Sequence, residues 1–266
     1  MIREGWRAWA WSEGGYLPCE SVPVTDVGFR LGYSAFETMA VREGVPLFLQ
    51  EHLSRLVSTA GFLGLSCDAA ALEAGKIRSL LAGLSGMARL YITGGDELSL
   101  KISRVYLLLE NRPFPIEESY RKGWKLRTQE GLHWSLFGGR KTGSYAAQVK
   151  VNLESHLKYH VDEALLFNEK EELVSAAFSN VFFIRGDIIS TPPIASGARD
   201  GVIREWLMNR FTVREEVIHR YSMNQVDELF LTNSRIGIMG ACELDGRSLA
   251  MDRSLAIYRE YVSSIS

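Results

Sequence analysis

Long apolar stretches, long basic runs and paired cysteines are all missing from this sequence of 266 residues. No stretch is long and apolar enough to span a membrane, and Met1 to Gly5 lack the apolar run of a signal peptide. The cysteines, Cys19, Cys67 and Cys242, are scattered without CxxC spacing, which predicts free thiols in a reducing compartment. We therefore expect a cytoplasmic protein without a membrane segment.

Nucleic-acid binding and several common catalytic sites are disfavoured as well. The formal net charge is −2 and no basic block occurs, so a nucleic-acid partner has no support. The sequence has no GxSxG elbow, no Walker loop and no GxGxxG after a strand. His156 and His160 are four apart in a predicted helix, but no carboxylate or cysteine ligand accompanies them. We predict no metal site.

The composition and the hydrophobic periodicity describe a globular protein that mixes helices and strands. Hydrophobic residues make up 46% and charged residues 23%, and this length can bury a core in one or two domains. Short apolar runs bounded by glycine or proline predict a hairpin over residues 7–18 and strands over 35–41, 45–48, 88–93, 103–110, 124–128, 163–167 and 181–184, with another ending at 232. Three- and four-residue spacing predicts helices over 49–63, 145–157, 201–211 and 255–262, and one capped by Asp68. Without a strict βαβ rhythm, the predicted class is α+β.

The segment Asn111-Arg112-Pro113-Phe114-Pro115 breaks both periodicities and is the predicted boundary between two domains. The resulting division is an N-terminal α/β domain over residues 1–112, a linker over 113–122 and a C-terminal domain over 123–266.

Lys141 is the first candidate functional residue, because it lies between a Gly138-Gly139 turn and a predicted helix. Most lysines are solvated surface charges, so this position alone is a weak indication. His52 and Arg55 are three apart and share one helix face, where they could bind one anion; a solvated helix face fits that spacing too.

Two further segments could bind an anion. Gly201-Val202-Ile203-Arg204 opens a predicted helix, whose free N–H groups and dipole favour a negative charge. Thr232-Asn233-Ser234 supplies hydroxyl and amide donors after a strand. Helix starts and Asn-Ser turns are common, so each is a weak signal alone.

Taken together, the order of the motifs resembles that of a known family. The segments that carry the resemblance are Asp26 to Thr38, His52-Leu53-Ser54-Arg55-Leu56, Lys141-Thr142-Gly143-Ser144-Tyr145, Ser179-Asn180-Val181-Phe182-Phe183, Thr191-Pro192-Pro193 and Gly201-Val202-Ile203-Arg204. Over nearly the whole chain they resemble the class IV (fold-type IV) pyridoxal-phosphate-dependent enzymes. This family contains branched-chain aminotransferases, D-amino acid aminotransferases and 4-amino-4-deoxychorismate lyase.

The resemblance implies a two-domain α+β fold of the D-amino acid aminotransferase type, a homodimer, and pyridoxal 5′-phosphate in the interdomain cleft. It implies that Lys141 forms the Schiff base with the cofactor and that Arg55 binds the phosphate. The N–H groups of Val202 and Ile203, with Ser234, would complete the phosphate site. Many relatives have a threonine hydroxyl where this chain has Ile203.

A larger departure lies five residues before Asn180, where relatives carry the glutamate that keeps the cofactor's pyridine nitrogen protonated. This chain has Ser175 there, and Glu172 is the nearest carboxylate, three positions further back. In an extended segment an odd offset points Glu172 to the opposite face, although an irregular loop could bring it round. A neutral serine would leave the ring a weaker electron sink, which slows transamination more than an elimination.

Among the family's activities, the Asn233-Ser234-x-x-Gly237-Ile238-Met239 run, the short chain and Ser175 favour 4-amino-4-deoxychorismate lyase. A D-amino acid or branched-chain aminotransferase is the alternative. A third possibility is not an enzyme in function: a cofactor-binding member of the family with little or no catalysis. The expected partner is a small-molecule amino substrate. The candidate substrate-pocket residues, each of which could also be packing or surface, are Tyr33, Phe36, Tyr91 and Arg235.

Overall fold

In a computed structural model, which describes residues 4–96, 103–131 and 137–265, the chain divides into two compact units. Unit 1 comprises Met1–Phe114 with Lys141–Tyr145, and unit 2 comprises Pro115–Arg140 with Ala146–Ser266. Residues 1–3 of the stretch inspected for a signal peptide lie outside the described residues. The mixture of helices and sheets confirms the α+β class. The domain limits proposed from the sequence stay a prediction, although Lys141–Tyr145, counted there with the C-terminal domain, pack within unit 1.

Unit 1 is built on an antiparallel sheet. Its strands are β1 (Trp6–Ser12), β2 (Gly15–Pro18), β3 (Ser34–Arg42), β4 (Val45–Pro46), β5 (Gly86–Thr93) and β6 (Arg104–Glu110), and its helices are α1 (Val27–Leu31), α2 (Leu49–Phe62) and α3 (Ala74–Leu81). Among the described residues the six strands lie in the order β2-β1-β6-β5-β3-β4. The predicted first hairpin is confirmed, with Trp11 opposite Tyr16.

Helix α2 contacts β3 because one of its faces is apolar. Leu49, Leu53, Leu56 and Ala60 recur at three- and four-residue spacing and are buried. His52 is buried on this helix too. The helix therefore places a titratable side chain next to a central strand of the sheet.

One predicted helix start in unit 1 is wrong. The Asp68 carboxylate accepts a hydrogen bond of 2.9 Å from the N–H of Ala70, so it caps the short 3-10 turn Ala69–Leu72. Glu73 then has extended backbone, and α3 begins only at Ala74.

Unit 2 is built on a larger, mixed sheet. Its strands are β7 (Trp124–Thr128), β8 (Glu163–Phe167), β9 (Leu173–Ala176), β10 (Asn180–Arg185), β11 (Ile188–Thr191), β12 (Val213–Glu215), β13 (Glu228–Asn233), β14 (Gly237–Leu244) and β15 (Arg247–Ser248). Within the described ranges they lie in the order β12-β11-β10-β13-β14-β7-β8-β9, with β15 paired to β14. The pairs β11–β12, β14–β7 and β7–β8 are parallel and the others antiparallel.

The helices of unit 2 are α4 (Glu117–Lys122), α5 (Ala146–Leu157), α6 (Val202–Arg210) and α7 (Asp252–Ser264), and the 3-10 turns are Ile194–Ser196 and Arg220–Gln225. The strands bury a core that includes Phe167, Leu229, Leu231 and Met239. Helix α5 ends at Leu157, and His160 has left-handed backbone with φ 53°. His156 and His160 are therefore not on one helix, which corrects that prediction.

The three cysteines are free thiols, as predicted. Among the helices that the structure describes, none is both long and apolar enough to cross a bilayer.

Candidate active site

Lys141 is held against strand β3 in unit 1 by backbone hydrogen bonds. The N–H of Phe36 donates to the carbonyl oxygen of Lys141 over 3.0 Å, and the N–H of Gly143 donates to that of Ser34 over 2.8 Å. A Cβ atom on Gly143 would lie 2.4 Å from the Ser34 hydroxyl, so only glycine allows this approach. The Lys141 Nζ atom lies 4.8 Å from the centroid of the Phe36 ring. The strand thus holds the lysine above an aromatic face.

A buried ion pair lies beside this lysine. Glu37 follows Phe36 on β3, and its Oε2 atom accepts hydrogen bonds of 2.7 Å from Arg55 Nη2 and from His52 Nδ1, both on α2. The side chain of Glu37 is 3% exposed and that of Arg55 is 20% exposed. The guanidinium of Arg55 is therefore fixed through Nη2 by a buried carboxylate, while the side chain stays partly exposed.

The charges of the cluster follow from its hydrogen bonds. Burial alone raises the pKa of Glu37, but the hydrogen bond from His52 and the charges of Lys141 and Arg55 together lower this pKa to about 2. Burial lowers the pKa of His52, so the imidazole is neutral. Since an ionised carboxylate can only accept, Nδ1 of His52 carries the proton. The 3.2 Å approach of Arg55 Nη2 to that Nδ1 is then a contact without a hydrogen bond.

Of the aromatic candidate pocket residues, Phe36 lies on β3, Tyr91 lies on β5 and Tyr33 directly precedes β3. The Phe36 ring stacks on Tyr91 at 5.3 Å between centroids and meets Tyr145 edge-on at 5.1 Å. Burial raises the pKa of Tyr91, which keeps its phenol neutral. The hydroxyl of Tyr33 donates to the carbonyl of Leu63 over 2.6 Å. Phe36 therefore contacts Lys141 and Tyr91 stacks on Phe36, while the Tyr33 hydroxyl is engaged just past the end of α2.

In unit 2, helix α6 begins at a second candidate site. Val202 and Ile203 form its first turn and are buried, and no side chain caps the helix at Gly201. The amide of Asn180 donates to the carbonyl of Arg199 over 2.6 Å, and a Cβ atom on Gly201 would lie 2.0 Å from Asn180 Oδ1. The first N–H groups of such a helix have no intrahelical partner and attract an anion.

Thr232 supplies an independent sign of a ligand at this place. It lies directly opposite Asn180 in the β10–β13 pair, so both side chains are on the face that holds the start of α6. Thr232 is 1% exposed, and its hydroxyl has no hydrogen-bond partner among the described residues. An orphaned buried hydroxyl is costly, and a bound polar group would satisfy it.

Ser234 and Arg235 follow strand β13 in a tight turn. The Asn233 side-chain oxygen accepts hydrogen bonds from the N–H groups of Arg235 (2.9 Å) and Ile236 (3.0 Å), which orients the turn. The Asn233 amide also donates to the Ser179 hydroxyl over 2.9 Å. Ser234 is thereby held next to the strand that carries Thr232. Arg235, a candidate substrate-pocket residue, lies in this turn.

Ser175 lies on β9 opposite Leu166. Its neighbour Ala176 belongs to the core, so Ser175 faces the other side of the sheet, and its hydroxyl bonds to no residue in the described part of the chain. Glu172 is engaged elsewhere, because its carboxylate accepts from the Asn168 amide (2.8 Å) and the Ser196 hydroxyl (3.1 Å). These hydrogen bonds lower the pKa of Glu172.

Glu163 is a functional-site neighbour that the sequence patterns did not single out. It opens β8 and is 2% exposed, and it accepts hydrogen bonds from the Ser179 hydroxyl (2.7 Å) and from the N–H of Phe178. Burial raises the pKa of Glu163 to about 7 against the lowering effect of these bonds and of Arg199. A charged residue at the head of the apolar run Glu163-Ala-Leu-Leu-Phe was the available signal.

Comparisons with known proteins show the family to which the chain belongs. Residues 34–244 match the sequence profile of the family described as amino-transferase class IV. The chain is 24% identical over 256 residues to a probable branched-chain-amino-acid aminotransferase of Rickettsia bellii, covering 88% of this chain and 86% of the relative.

The chain is also similar in fold to solved structures over nearly its whole length. A 4-amino-4-deoxychorismate lyase from Pseudomonas aeruginosa is 26% identical with a TM-score of 0.80, covering 97% of both chains. A fold IV transaminase from Curtobacterium pusillum is 22% identical with a TM-score of 0.82, covering 97% of this chain and 98% of the other. The fold-type IV architecture expected from the resemblance is confirmed.

Proposed function

Because the chain belongs to the class IV aminotransferase family, whose enzymes depend on pyridoxal 5′-phosphate, we propose that it is a 4-amino-4-deoxychorismate lyase. The proposed reaction eliminates the oxygen substituent of aminodeoxychorismate as the enol of pyruvate and leaves p-aminobenzoate. The observation that carries the proposal is Ser175, an uncharged residue where the resemblance to the family implies a carboxylate. The 26% identity to the lyase of Pseudomonas aeruginosa supports it.

The residues of unit 1 fit the aldehyde and phosphate chemistry of the cofactor. Lys141 supplies a primary amine, the group that condenses with an aldehyde. Arg55 supplies a planar fork that matches two phosphate oxygens, and Glu37 fixes its orientation at 2.7 Å.

Unit 2 fits the phosphate through its own donors. We propose that the N–H groups of Val202 and Ile203 and the hydroxyl of Ser234 bind phosphate oxygens. The orphaned, buried hydroxyl of Thr232 near the start of α6 supports a polar group at that place. Thr232 also offers a hydroxyl group, which the aliphatic side chain of Ile203 cannot supply.

When bound, the cofactor supplies an electron sink for the pair left by removal of the substrate Cα proton. We propose that Lys141 carries the catalytic work of the protein. Its amine would hold the cofactor and, once released, would act as the general base at the substrate Cα. Phe36 and Tyr91 are proposed to flank the substrate, and roles for Tyr33 and Arg235 stay predictions.

Ser175 favours elimination over transamination for an electrostatic reason. A carboxylate beside the pyridine nitrogen keeps that nitrogen protonated and strengthens the sink, whereas a serine hydroxyl carries no charge. Glu172 is held by Asn168 and Ser196, which argues against a substitute role for its carboxylate. Transamination has to keep the electron pair until a proton returns at another carbon. Elimination passes the pair directly to the departing oxygen substituent, so it depends less on the sink.

A branched-chain or D-amino acid aminotransferase is the second candidate. The observation in its favour is the 24% identity, over 88% of this chain, to the Rickettsia bellii relative. We favour an enzyme over the non-catalytic alternative because the family's members are pyridoxal-phosphate enzymes. We also propose a homodimer, which the mass of the purified protein in solution tests.

A direct comparison of products tests the proposal. The enzyme loaded with pyridoxal phosphate is given aminodeoxychorismate, and p-aminobenzoate and pyruvate are measured. In parallel it is given D-alanine and branched-chain L-amino acids with a keto acid acceptor. The lyase proposal predicts products from aminodeoxychorismate that Lys141→Ala abolishes. Keto acid formation from an amino donor without p-aminobenzoate release would favour the aminotransferase.

A further inference from the structure

A buried carboxylate in unit 2 has no direct use in the proposed chemistry. Glu163 opens β8 and is 2% exposed, and a carboxylate in such a place is costly unless hydrogen bonds compensate it. Its Oε1 atom accepts from the N–H of Phe178, and its Oε2 atom accepts from the Ser179 hydroxyl over 2.7 Å. Both donors lie between the end of β9 and the start of β10. The carboxylate therefore ties this connection to the start of β8.

The hydrogen bonds continue from Ser179 to Asn233, and their direction is fixed. The side-chain oxygen of Asn233 accepts from two backbone N–H groups, those of Arg235 (2.9 Å) and Ile236 (3.0 Å), which identifies this end of the amide as the oxygen. The nitrogen at the other end then donates to the Ser179 hydroxyl oxygen over 2.9 Å. Because that oxygen accepts from Asn233, the hydroxyl hydrogen donates to Glu163. Each donor in this chain thus has an acceptor, and the carboxylate is the last one.

The chain of hydrogen bonds ends at the turn that carries Ser234. Asn233 is the last residue of β13 and pairs with Gly237, the first residue of β14, so the three residues between them form the turn. At the far end of the turn the Tyr120 hydroxyl donates to the carbonyl of Ile236 over 3.0 Å. A side chain therefore holds each end of the turn, and the one at the Asn233 end is connected to the buried carboxylate.

We propose that Glu163 is a positioning residue for the phosphate of the cofactor, because it fixes Asn233 through Ser179 and so holds the turn that presents Ser234. The inference rests on the assignment of Ser234 to the phosphate under the proposed function, and it holds for a lyase and for an aminotransferase alike. In the described order of the sheet β14 and β7 lie between β13 and β8, so strand pairing does not join the turn directly to β8. The side chains supply that connection. A hydroxyl that is fixed before binding holds an anion more tightly, because less conformational entropy is lost on binding.

The test compares how tightly the cofactor-free protein binds pyridoxal 5′-phosphate and pyridoxal, which lacks the phosphate. Ser179→Ala removes the oxygen that connects Glu163 with Asn233. The Asn233 amide loses its acceptor and the turn loosens, so the affinity for pyridoxal 5′-phosphate should fall about fivefold or more, whereas the affinity for pyridoxal should not change. The matched control is Ser190→Ala, which removes a buried hydroxyl that donates to Glu216 over 2.9 Å on another strand. It should leave both affinities unchanged.

A second variant reverses one hydrogen bond in the chain. In Glu163→Gln the side-chain oxygen still accepts from the N–H of Phe178, so the new amide donates to Ser179. The Ser179 hydrogen then loses its acceptor and competes with the Asn233 amide. At pH 8.5, above the Glu163 pKa of about 7, the variant should be more stable to urea than wild type and still bind pyridoxal 5′-phosphate more weakly relative to pyridoxal. A side chain that served the fold alone would not change stability and phosphate affinity in opposite directions.

Three results would overturn the proposal in distinguishable ways. Folded Ser179→Ala that binds pyridoxal 5′-phosphate as tightly as wild type, or that loses affinity for both ligands equally, refutes the positioning role. If Ser179→Ala does not fold, an unchanged affinity ratio in Glu163→Gln refutes it instead. Weaker binding of pyridoxal 5′-phosphate by Ser234→Ala, in the absence of any loss in Ser179→Ala, refutes the positioning role and leaves the phosphate assignment intact. Wild-type protein that binds no pyridoxal 5′-phosphate refutes the proposed function and the positioning role together.

Discussion

Glu163 gives the prediction whose size can be worked out most directly. Burial raises its pKa from the ordinary 4.5 to about 7. Between these values the folded protein binds more protons than the unfolded chain, so the free energy of unfolding falls as pH rises. A difference of about 2.5 pH units at about 1.4 kcal/mol each amounts to a loss of about 3 kcal/mol, absent below pH 4.5 and complete above pH 7.

Glu163→Gln removes this titration and keeps both contacts, with the direction of the hydrogen bond to Ser179 reversed. The glutamine oxygen can accept from the N–H of Phe178, and its amide can donate to the Ser179 oxygen, which has two lone pairs. The variant should gain about 3 kcal/mol over wild type between pH 5 and pH 8. Other titrating groups contribute equally to the free energies of unfolding of variant and wild type, so their contributions cancel when the two are subtracted. Glu169→Gln, an exposed change of the same charge, should show a flat difference over that range.

Urea unfolding of both variants and wild type at a series of pH values measures the effect. Infrared spectroscopy adds an independent signal, since the wild type should show a protonated carboxyl band that disappears near pH 7 and is missing in Glu163→Gln. A flat difference between Glu163→Gln and wild type, or one that grows toward acid pH, would refute the reasoning.

Three further predictions concern unit 2. Ser175→Glu restores a carboxylate and should raise aminotransferase turnover relative to p-aminobenzoate release, whereas Ser175→Gln should not; no gain in the cofactor-loaded Glu variant would count against the electrostatic argument. Thr232→Val replaces an orphaned buried hydroxyl by a methyl group, so the cofactor-free protein should be about 1 kcal/mol more stable to urea, and a loss of stability would mean that the hydroxyl has a partner. Gly201→Ala brings a Cβ atom to 2.0 Å from Asn180 Oδ1, whose amide is tied to Arg199, and should cost about 1–3 kcal/mol in urea unfolding and weaken pyridoxal phosphate binding. Unchanged stability and cofactor affinity would show that the start of α6 shifts to make room for the added Cβ atom, which would contradict this prediction.

The elements with strong periodicity were predictable from the sequence. Helix α2 has apolar residues at regular spacing, and the β1–β2 hairpin has a glycine turn between aromatic strands. Strand β14 was missed because Gly237-Ile-Met-Gly-Ala-Cys-Glu-Leu244 is buried over most of its length, so it shows no alternation of polar and apolar residues. Helix α1 was missed because it has five residues, and its start depends on Asp26 accepting a bond from Gly28 over 2.7 Å.

The candidate site was predictable only in part. The motifs predict Lys141 and Arg55 as site residues, because a motif is read from residue types and their order along the chain. The antiparallel contact of Lys141–Tyr145 with β3 links residues about a hundred positions apart, and no local pattern encodes such a pairing. Glu37 passed as one more residue of an apolar strand. Its hydrogen bonds with Arg55 and His52 form only when the folded chain brings β3 and α2 together.

The central claim is that Lys141 holds pyridoxal 5′-phosphate. Reduction of the purified, cofactor-loaded protein with borohydride, followed by mass analysis of its peptides, tests it most directly. We expect a visible band that disappears on reduction and a pyridoxyl group on the peptide that contains Lys141. A protein that stays colourless with added cofactor, or a pyridoxyl group on a different lysine, would contradict it.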